Sequence, residues 1–305
     1  MLGPEHIGRR VVVRARSANP APGRRFRDVT GELVEIDADR LRILASSGTV
    51  VTVEAADVAA AKPIGAKPTP FSEILELERL LAAAWPAVES VESGGWLLRY
   101  SHGFSRRANS VLAVTEPDAG LDAALAEVEH WYAAREARPL VSVALPVARR
   151  LDEALAERGW EAEGRTAVLT RAAAGGEYTG SAVIAHEPSA ELLEQLGRGR
   201  PRTAAKVLGS GPNRAYAEIR RDGVLAARGR AALEGDTAAV SGIGTLPEHR
   251  RRGLGGEIME ALAAWAARAG ARRLALQVEI ENEAALALYR RQGFVERYRY
   301  HYRGR

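Results

Sequence analysis

Residues 249–256 read HRRRGLGG, and EIMEALAAWAARAG follows at once over 257–270. Three arginines, then three glycines in four positions, then an amphipathic helix stand in that order. Two readings compete: a solvated charge run ending in a hinge, or a loop built to hold an anion. The first N–H groups of a helix lack partners inside it. The helix dipole adds about half a positive charge at the same end. Glycine lets an anion approach the backbone, because no Cβ intervenes. The preceding SGIGTL (241–246) reads as a strand, so the order is strand, loop, helix. The Gly-Lys-Ser/Thr of a Walker loop is absent, and the spacing is not the dinucleotide Gly-x-Gly-x-x-Gly.

Around this stretch the chain divides into three. Residues 1–65 hold short alternating runs, RRVVVRAR, GELVEID, RLRILAS and TVVTVEAADVAAAKPI, with a turn at Asp37–Asp39. That pattern predicts a small all-β domain. It carries ten Arg or Lys, Arg24 among them, against eight Asp or Glu. Pro63–Pro70 and 172–180 read as linkers. Over 71–172 the order is helix FSEILELERLLAAAW, strands WLLRY and SVLAV, helix LDAALAEVEHWYAARE, strand PLVSVAL, helix VARRLDEALAERGW and strand RTAVLTR. Over 181–305 come SAVIAHE, the helix PSAELLEQLG and three strands to Leu246. After the opening loop and its helix come the strand RRLALQVEI, the helix NEAALALYRRQG and the strand FVERYRYHYR.

Segments two and three match at an ungapped offset of 134 residues: Trp265 falls on Trp131, Leu274 on Leu140, and Gly293-Phe294 on Gly159-Trp160. The match fails where chemistry is expected. Arg250 falls on Glu116, Gly253 on Ala119, Gly255 on Leu121, Asn282 on Ala148 and Tyr289 on Leu155. The first copy keeps packing positions and lacks the loop.

Arg250-x-x-Gly253-x-Gly255 and, about thirty residues on, Asn282-x-x-Ala285-x-x-Leu288-Tyr289-x-x-x-Gly293-Phe294 together resemble the two signatures of the GNAT superfamily of N-acetyltransferases. The resemblance covers 181–305. The first copy, with Trp85-Pro86, Gly95-Trp96-Leu-Leu-Arg99 and Arg107-Ala-Asn-Ser110, looks like the degenerate front half of tandem GNAT proteins. The whole chain is similar to actinobacterial proteins with a small β domain ahead of a GNAT pair, some described as N-acetylglutamate synthases.

That resemblance implies an α/β (α+β) fold of tandem GNAT units with mixed, mostly antiparallel sheets flanked by helices. A small all-β SH3-like barrel (1–65) precedes a degenerate GNAT-like domain (71–172) without cofactor motif and a catalytic GNAT domain (181–305). It implies a sheet splayed between SGIGTL and LALQVEI. Acetyl-CoA is the implied co-substrate, its pantetheine along Ile243, Gly244 and Thr245. Its pyrophosphate would lie on Arg250, Arg251, Arg252, Gly253, Leu254, Gly255 and Gly256. Asn282 caps the next helix or touches the cofactor, and Tyr289 is the implied acid for the leaving thiolate. Glu279 is the better candidate base, with Glu281 on the same sheet face and a solvated role open to both. His301, in the last strand, borders the implied acceptor pocket or lies on the surface.

Composition fits this reading. Cysteine is absent, which excludes thiol catalysis, disulfides and Cys-type zinc sites. No His-x-x-x-His pair suggests a metal. Residues 247–305 hold twelve arginines against seven acidic residues, a surplus suited to phosphates. The expected partner is a small-molecule amine or amino acid, glutamate being the analogue, ranked above a peptide N-terminus. Net charge +4 does not by itself argue for nucleic acid, and the β segment lacks the aromatic-and-basic surface expected of an RNA binder. No run of roughly 20 apolar residues suggests a membrane span, and no signal peptide is evident, so the cytoplasm is expected. A homodimer is compatible with all of this. The rival reading is a non-catalytic acyl-CoA-binding sensor or adaptor.

Overall fold

The computed structural model describes residues 2–17, 25–45, 47–65, 68–173, 176–197, 199–211 and 213–305. Arg24 and residues 66–67 and 174–175 of the two linkers lie outside the described residues. Met1–Pro68 and Thr69–Arg305 form separate units.

In the first unit, β1 (Arg10–Arg16), β2 (Phe26–Ile36), β3 (Arg40–Ala45), β4 (Val50–Glu54) and β5 (Val58–Pro63) form one antiparallel sheet ordered β4-β3-β2-β1-β5. Alternation decides the faces: Val11, Val13 and Ala15 of β1 are buried against Leu33, Leu41, Ile43 and Val53. The β2–β3 turn closes because Asp37 Oδ1 accepts the amides of Asp39 and Arg40, both at 2.9 Å.

The second unit begins with α1 (Phe71–Ala83), β6 (Glu89–Ser93), β7 (Trp96–Tyr100), β8 (Val111–Leu112), α2 (Leu121–Ala133), β9 (Leu140–Leu145), α3 (Arg149–Glu157) and β10 (Glu161–Ala172). It continues with β11 (Val183–Ala185), α4 (Ala190–Gly197), α5 (Pro201–Leu208), β12 (Arg214–Arg221), β13 (Val224–Glu234) and β14 (Thr237–Thr245). α6 (Leu254–Arg268), β15 (Arg273–Glu279), α7 (Glu283–Arg291) and β16 (Val295–Gly304) complete it. Two elements carry weak sequence signals. β6, ESVES, is mostly exposed and shows no apolar alternation. α5 buries Ala204, Val207 and Leu208 at helical spacing but is only eight residues long.

The offset of 134 residues holds for the element bounds. It carries α7 onto α3 end for end, and Gly293 (φ +80°) onto Gly159 (φ +78°). The two halves nevertheless share one eleven-stranded sheet, ordered β11-β12-β13-β14-β15-β10-β16-β9-β8-β7-β6. The last strand of each half crosses over. β10 pairs with β15 of the second half, and β16 pairs with β9 of the first. β10 is buried at five successive residues, Thr166–Thr170, as expected of a strand covered on both faces. α1 spans the joint: Ile74, Leu77 and Leu81 pack with Ala144, Val168, Ala275, Tyr298, Tyr300 and Tyr302. α6 covers the second half, with Leu254, Ile258, Leu262 and Trp265 in its core. Each fully buried Leu or Ile contributes about 1.5–3 kcal/mol.

Candidate active site

β14 and β15 run parallel only from Thr237↔Arg273 to Val240↔Leu276. Beyond that they separate, because each follows its other neighbour. β15 stays on β10, pairing Gln277 with Val168 and Glu279 with Thr166. β14 stays on β13 across a bulge between Arg228 and Arg230. Gly242 takes φ +64° there, a conformation that favours glycine. Arg228 Nη1 fixes the bulge by donating to the Gly242 carbonyl at 2.6 Å. The sheet thus opens at the place the sequence resemblance implied.

A cleft of about 430 Å³ lies at this opening. Gly242, Gln277 and Glu279 line it from the second half, and Tyr300 and Tyr302 from the crossed strand β16. Trp85 and Gly103–Arg107 line it from the first half, and Leu196, Gly197 and Arg200 from the α4–α5 connection. The first half therefore builds one wall.

That wall is held rigidly. His102 (φ +48°) and Ser105 (φ +59°) are non-glycine residues in left-handed conformations. Asn109 fixes them with four hydrogen bonds. Its Oδ1 accepts from the Ser101 and Gly103 amides at 2.8 and 3.1 Å. Its Nδ2 donates to the Phe104 and Ser105 carbonyls at 2.9 and 2.7 Å. Trp85 Nε1 donates to Ser105 Oγ at 3.0 Å, and the Trp85 ring stacks on Phe104. The outcome is a fixed presentation of Arg106 and Arg107. Arg106 pairs with Glu279 and, at 3.8 Å, with Glu163. Arg107 Nη1 donates to Gln277 Oε1 at 2.6 Å, and its guanidinium lies 4.6 Å from the Trp85 ring centre.

The glycine loop lies at the other side of β14. After a single turn at Pro247–His249, Arg251 (φ +58°) and Gly253 (φ +80°) reverse the chain into α6. Gly253 is the residue before the helix, so Leu254, Gly255 and Gly256 form its first turn. Gly256 and Glu257 donate to the Gly253 carbonyl. Among the described residues, the amides of Arg251 through Gly255 have no acceptor. A Cβ built at Gly255 would stand 3.5 Å from Leu288, 3.8 Å from Thr245 and 4.0 Å from Ile243, all ordinary contacts. Packing does not require glycine there. The bare backbone faces Ile243 and Thr245, so the loop and the strand edge named from sequence meet, with Gly244 between those two strand residues. Arg250, Arg251 and Arg252 are exposed around the loop, and Arg250 Nε reaches the Thr245 carbonyl at 3.4 Å.

The remaining candidates fall in different places. Asn282 caps α7, its Oδ1 accepting from the Ala285 amide at 3.1 Å. Tyr289 lies on α7, buried edge-on against Phe294, and does not line the cleft. Its hydroxyl has no hydrogen-bond partner among the described residues, and burial pushes its pKa up to about 12. Glu279 lines the cleft, engaged by Arg106, whereas Glu281 lies past the end of β15 and pairs with Arg165 at 3.0 Å. The surface placement of His301 is corrected. His301 is buried, with Nε2 2.8 Å from Asp152 Oδ1, because β16 runs beside β9 and beneath α3. The arginine wall and Tyr300 and Tyr302 were not picked out as site residues from sequence. SHGFSRRANS (101–110), a polar turn carrying two arginines, was the available signal.

Comparison with known proteins identifies the family of both units. The family model described as "Probable histone acetyltransferase Rv0428c C-terminal" matches residues 71–303. That described as "Rv0428c N-terminal Sm-like domain" matches residues 5–62. The chain is 28% identical over 248 residues to the uncharacterized N-acetyltransferase YobR of Bacillus subtilis, covering 76% of this chain and 99% of that protein. It is 36% identical over 138 residues to the probable histone acetyltransferase Rv0428c of Mycobacterium tuberculosis, covering 45% of this chain and 44% of that one. In fold, it is similar to a GCN5-related N-acetyltransferase from Kribbella flavida, with TM-score 0.56 and 21% identity over 78% of this chain and 96% of that one. The chain belongs to the GNAT N-acetyltransferases of the Rv0428c type, acyltransferases in which an Sm-like domain precedes the GNAT region.

Proposed function

We propose that the chain moves an acetyl group from acetyl-CoA to a primary amine seated in the cleft at the splay. The observation that carries this is the run of unpartnered amides from Arg251 to Gly255, with a bare Gly255 facing Ile243 and Thr245. Such a run suits a pyrophosphate, and the open edge at Ile243, Gly244 and Thr245 suits an amide-bearing arm. Acetyl-CoA supplies an activated thioester when bound.

The chain's own residues then do three things. The rigid cleft fixes the amine beside the strand opening, which makes the attack effectively unimolecular. Glu279, the carboxylate lining the cleft, takes the amine's proton once its pair with Arg106 opens. Tyr289 keeps its proton at neutral pH, since burial holds its pKa near 12. Its role in this reading, carried over from the family resemblance, is to give that proton to the leaving thiolate, although the raised pKa makes it a weaker acid than a free tyrosine.

The acceptor follows from resemblance: glutamate's α-amine, as in proteins described as N-acetylglutamate synthases, is the first to test. The small domain's SH3-like barrel reading carries over as a scaffold for contacts with a partner or a second copy. The assay is thiol release from acetyl-CoA with an amine panel, run beside Tyr289→Phe. CoA binding without turnover on any amine would leave the sensor reading. Unchanged turnover in the variant would remove Tyr289 from the chemistry.

A further inference from the structure

The cleft holds more cationic charge than its carboxylates balance. Glu279 is its one acidic lining residue among those described, and Arg106 engages it. Arg107 donates to a neutral amide oxygen and lies over Trp85. The Arg200 side chain has no hydrogen bond or ion pair among the described residues. Behind Trp85, buried Arg230 donates to the Leu208 and Ala84 carbonyls, at 3.1 and 2.9 Å, with no carboxylate partner among the described residues, and its guanidinium lies 5.7 Å from the indole centre. Charge inside a partly dehydrated cleft is weakly screened.

We infer that the acceptor amine carries a carboxylate, and that Arg107 and Arg200 bind it. The inference rests on the acetyl transfer proposed above. Guanidinium groups grip carboxylates through paired N–H donors, and Arg107 uses only Nη1 in a hydrogen bond. Its position is not left to chance: Asn109 and Trp85 fix the strained turn that carries it. A surface turn ordered at that cost, with its arginine facing a cleft shared between the two halves, is what a pre-organised anion subsite requires. The half without a cofactor loop thus supplies acceptor specificity to the half that has one. A lysine-rich peptide would bring like charge to this wall and is disfavoured as acceptor.

The test is calorimetric binding to the full-length protein of glutamate, aspartate and glycine, each beside its α-amide, and of a lysine-rich peptide. Turnover with acetyl-CoA is measured in parallel. An acid is expected to bind about tenfold or more tightly than its amide, the effect of a charge-assisted bidentate contact. Arg107→Gln and Arg200→Gln should each erase most of that preference, while leaving CoA binding intact. Arg107→Lys should not restore it. Arg200 is exposed, so Arg200→Gln reports even where Arg107→Gln proves unstable on melting. Equal binding of acid and amide, no binding of any acid, tightest binding of the lysine peptide, or an unchanged preference in Arg200→Gln would overturn the inference. Acid-selective binding without turnover on any amine would instead overturn the acetyl-transfer reading, and with it the acceptor role, while leaving Arg107 and Arg200 as a carboxylate subsite.

Discussion

Gly255 and Gly253 stand two residues apart, yet alanine at each should move stability in opposite directions. Gly255 is the second residue of α6, in ordinary helical geometry. A Cβ there meets Leu288 at 3.5 Å and Thr245 at 3.8 Å, which is contact without overlap. Alanine also restricts the unfolded chain and favours helix, so Gly255→Ala should stabilise by about 0.5–1 kcal/mol. In a domain this large that is roughly 1–4 °C in Tm. Gly253 has no atom within 4 Å of a built Cβ, but its φ is +80°. Gly253→Ala therefore carries only a backbone cost, about 1–2 kcal/mol, and Tm should fall by roughly 2–8 °C. Both variants should lose CoA. At Gly255 the methyl covers amides that would otherwise bond phosphate oxygens, each such bond contributing about 1.5–3 kcal/mol, so affinity should drop about 10- to 100-fold. Differential scanning calorimetry and CoA titration read both effects. Gly255→Ala that melts higher and binds CoA normally would refute the cradle. Gly255→Ala that melts several degrees lower would show that packing, not ligand access, demands glycine.

Two other outcomes follow from the site's supports. Asn109→Ala removes four hydrogen bonds from a turn with two left-handed non-glycine residues; at about 0.5–1 kcal/mol each in this partly solvated setting, stability should fall by about 2–4 kcal/mol. The KM for the acceptor should rise more than the Kd for CoA, and equal effects on both would count against a wall that serves the acceptor alone. For Asp152, burial raises the pKa, but hydrogen bonds from Arg303 and His301 outweigh it and leave it lowered. A carboxylate lowered on folding adds stability above its unfolded pKa, about 3.9, and loses it as pH falls through the folded value. Asp152→Asn should therefore unfold about 1–2 kcal/mol more easily than the native protein from pH 5 to 8, with the gap closing below about pH 4. Urea midpoints across pH would show a constant gap if Asp152 carried no such linkage.

Local structure was the part most legible in the sequence. HRRRGLGG announced a helix start with free amides, because helix ends and glycine freedom depend on neighbours within one turn. Asn282 read as a cap for the same reason, and the alternating runs of residues 1–65 fixed which side chains turn inward. Even the offset between the halves could be counted from residue numbers. What only the tertiary structure decided depends on pairings far apart in the chain. β10 and β16 cross between halves because a strand's hydrogen-bonding edges are the same whichever neighbour they meet, so periodicity cannot name the partner. That crossing buries His301 and brings Tyr300 and Tyr302 to the cleft. Arg107 sits on a turn whose role is invisible until the sheet joins it to Gln277, 170 residues later. The proposed phosphate cradle could be read from one stretch of chain; the proposed acceptor wall exists only where two stretches meet.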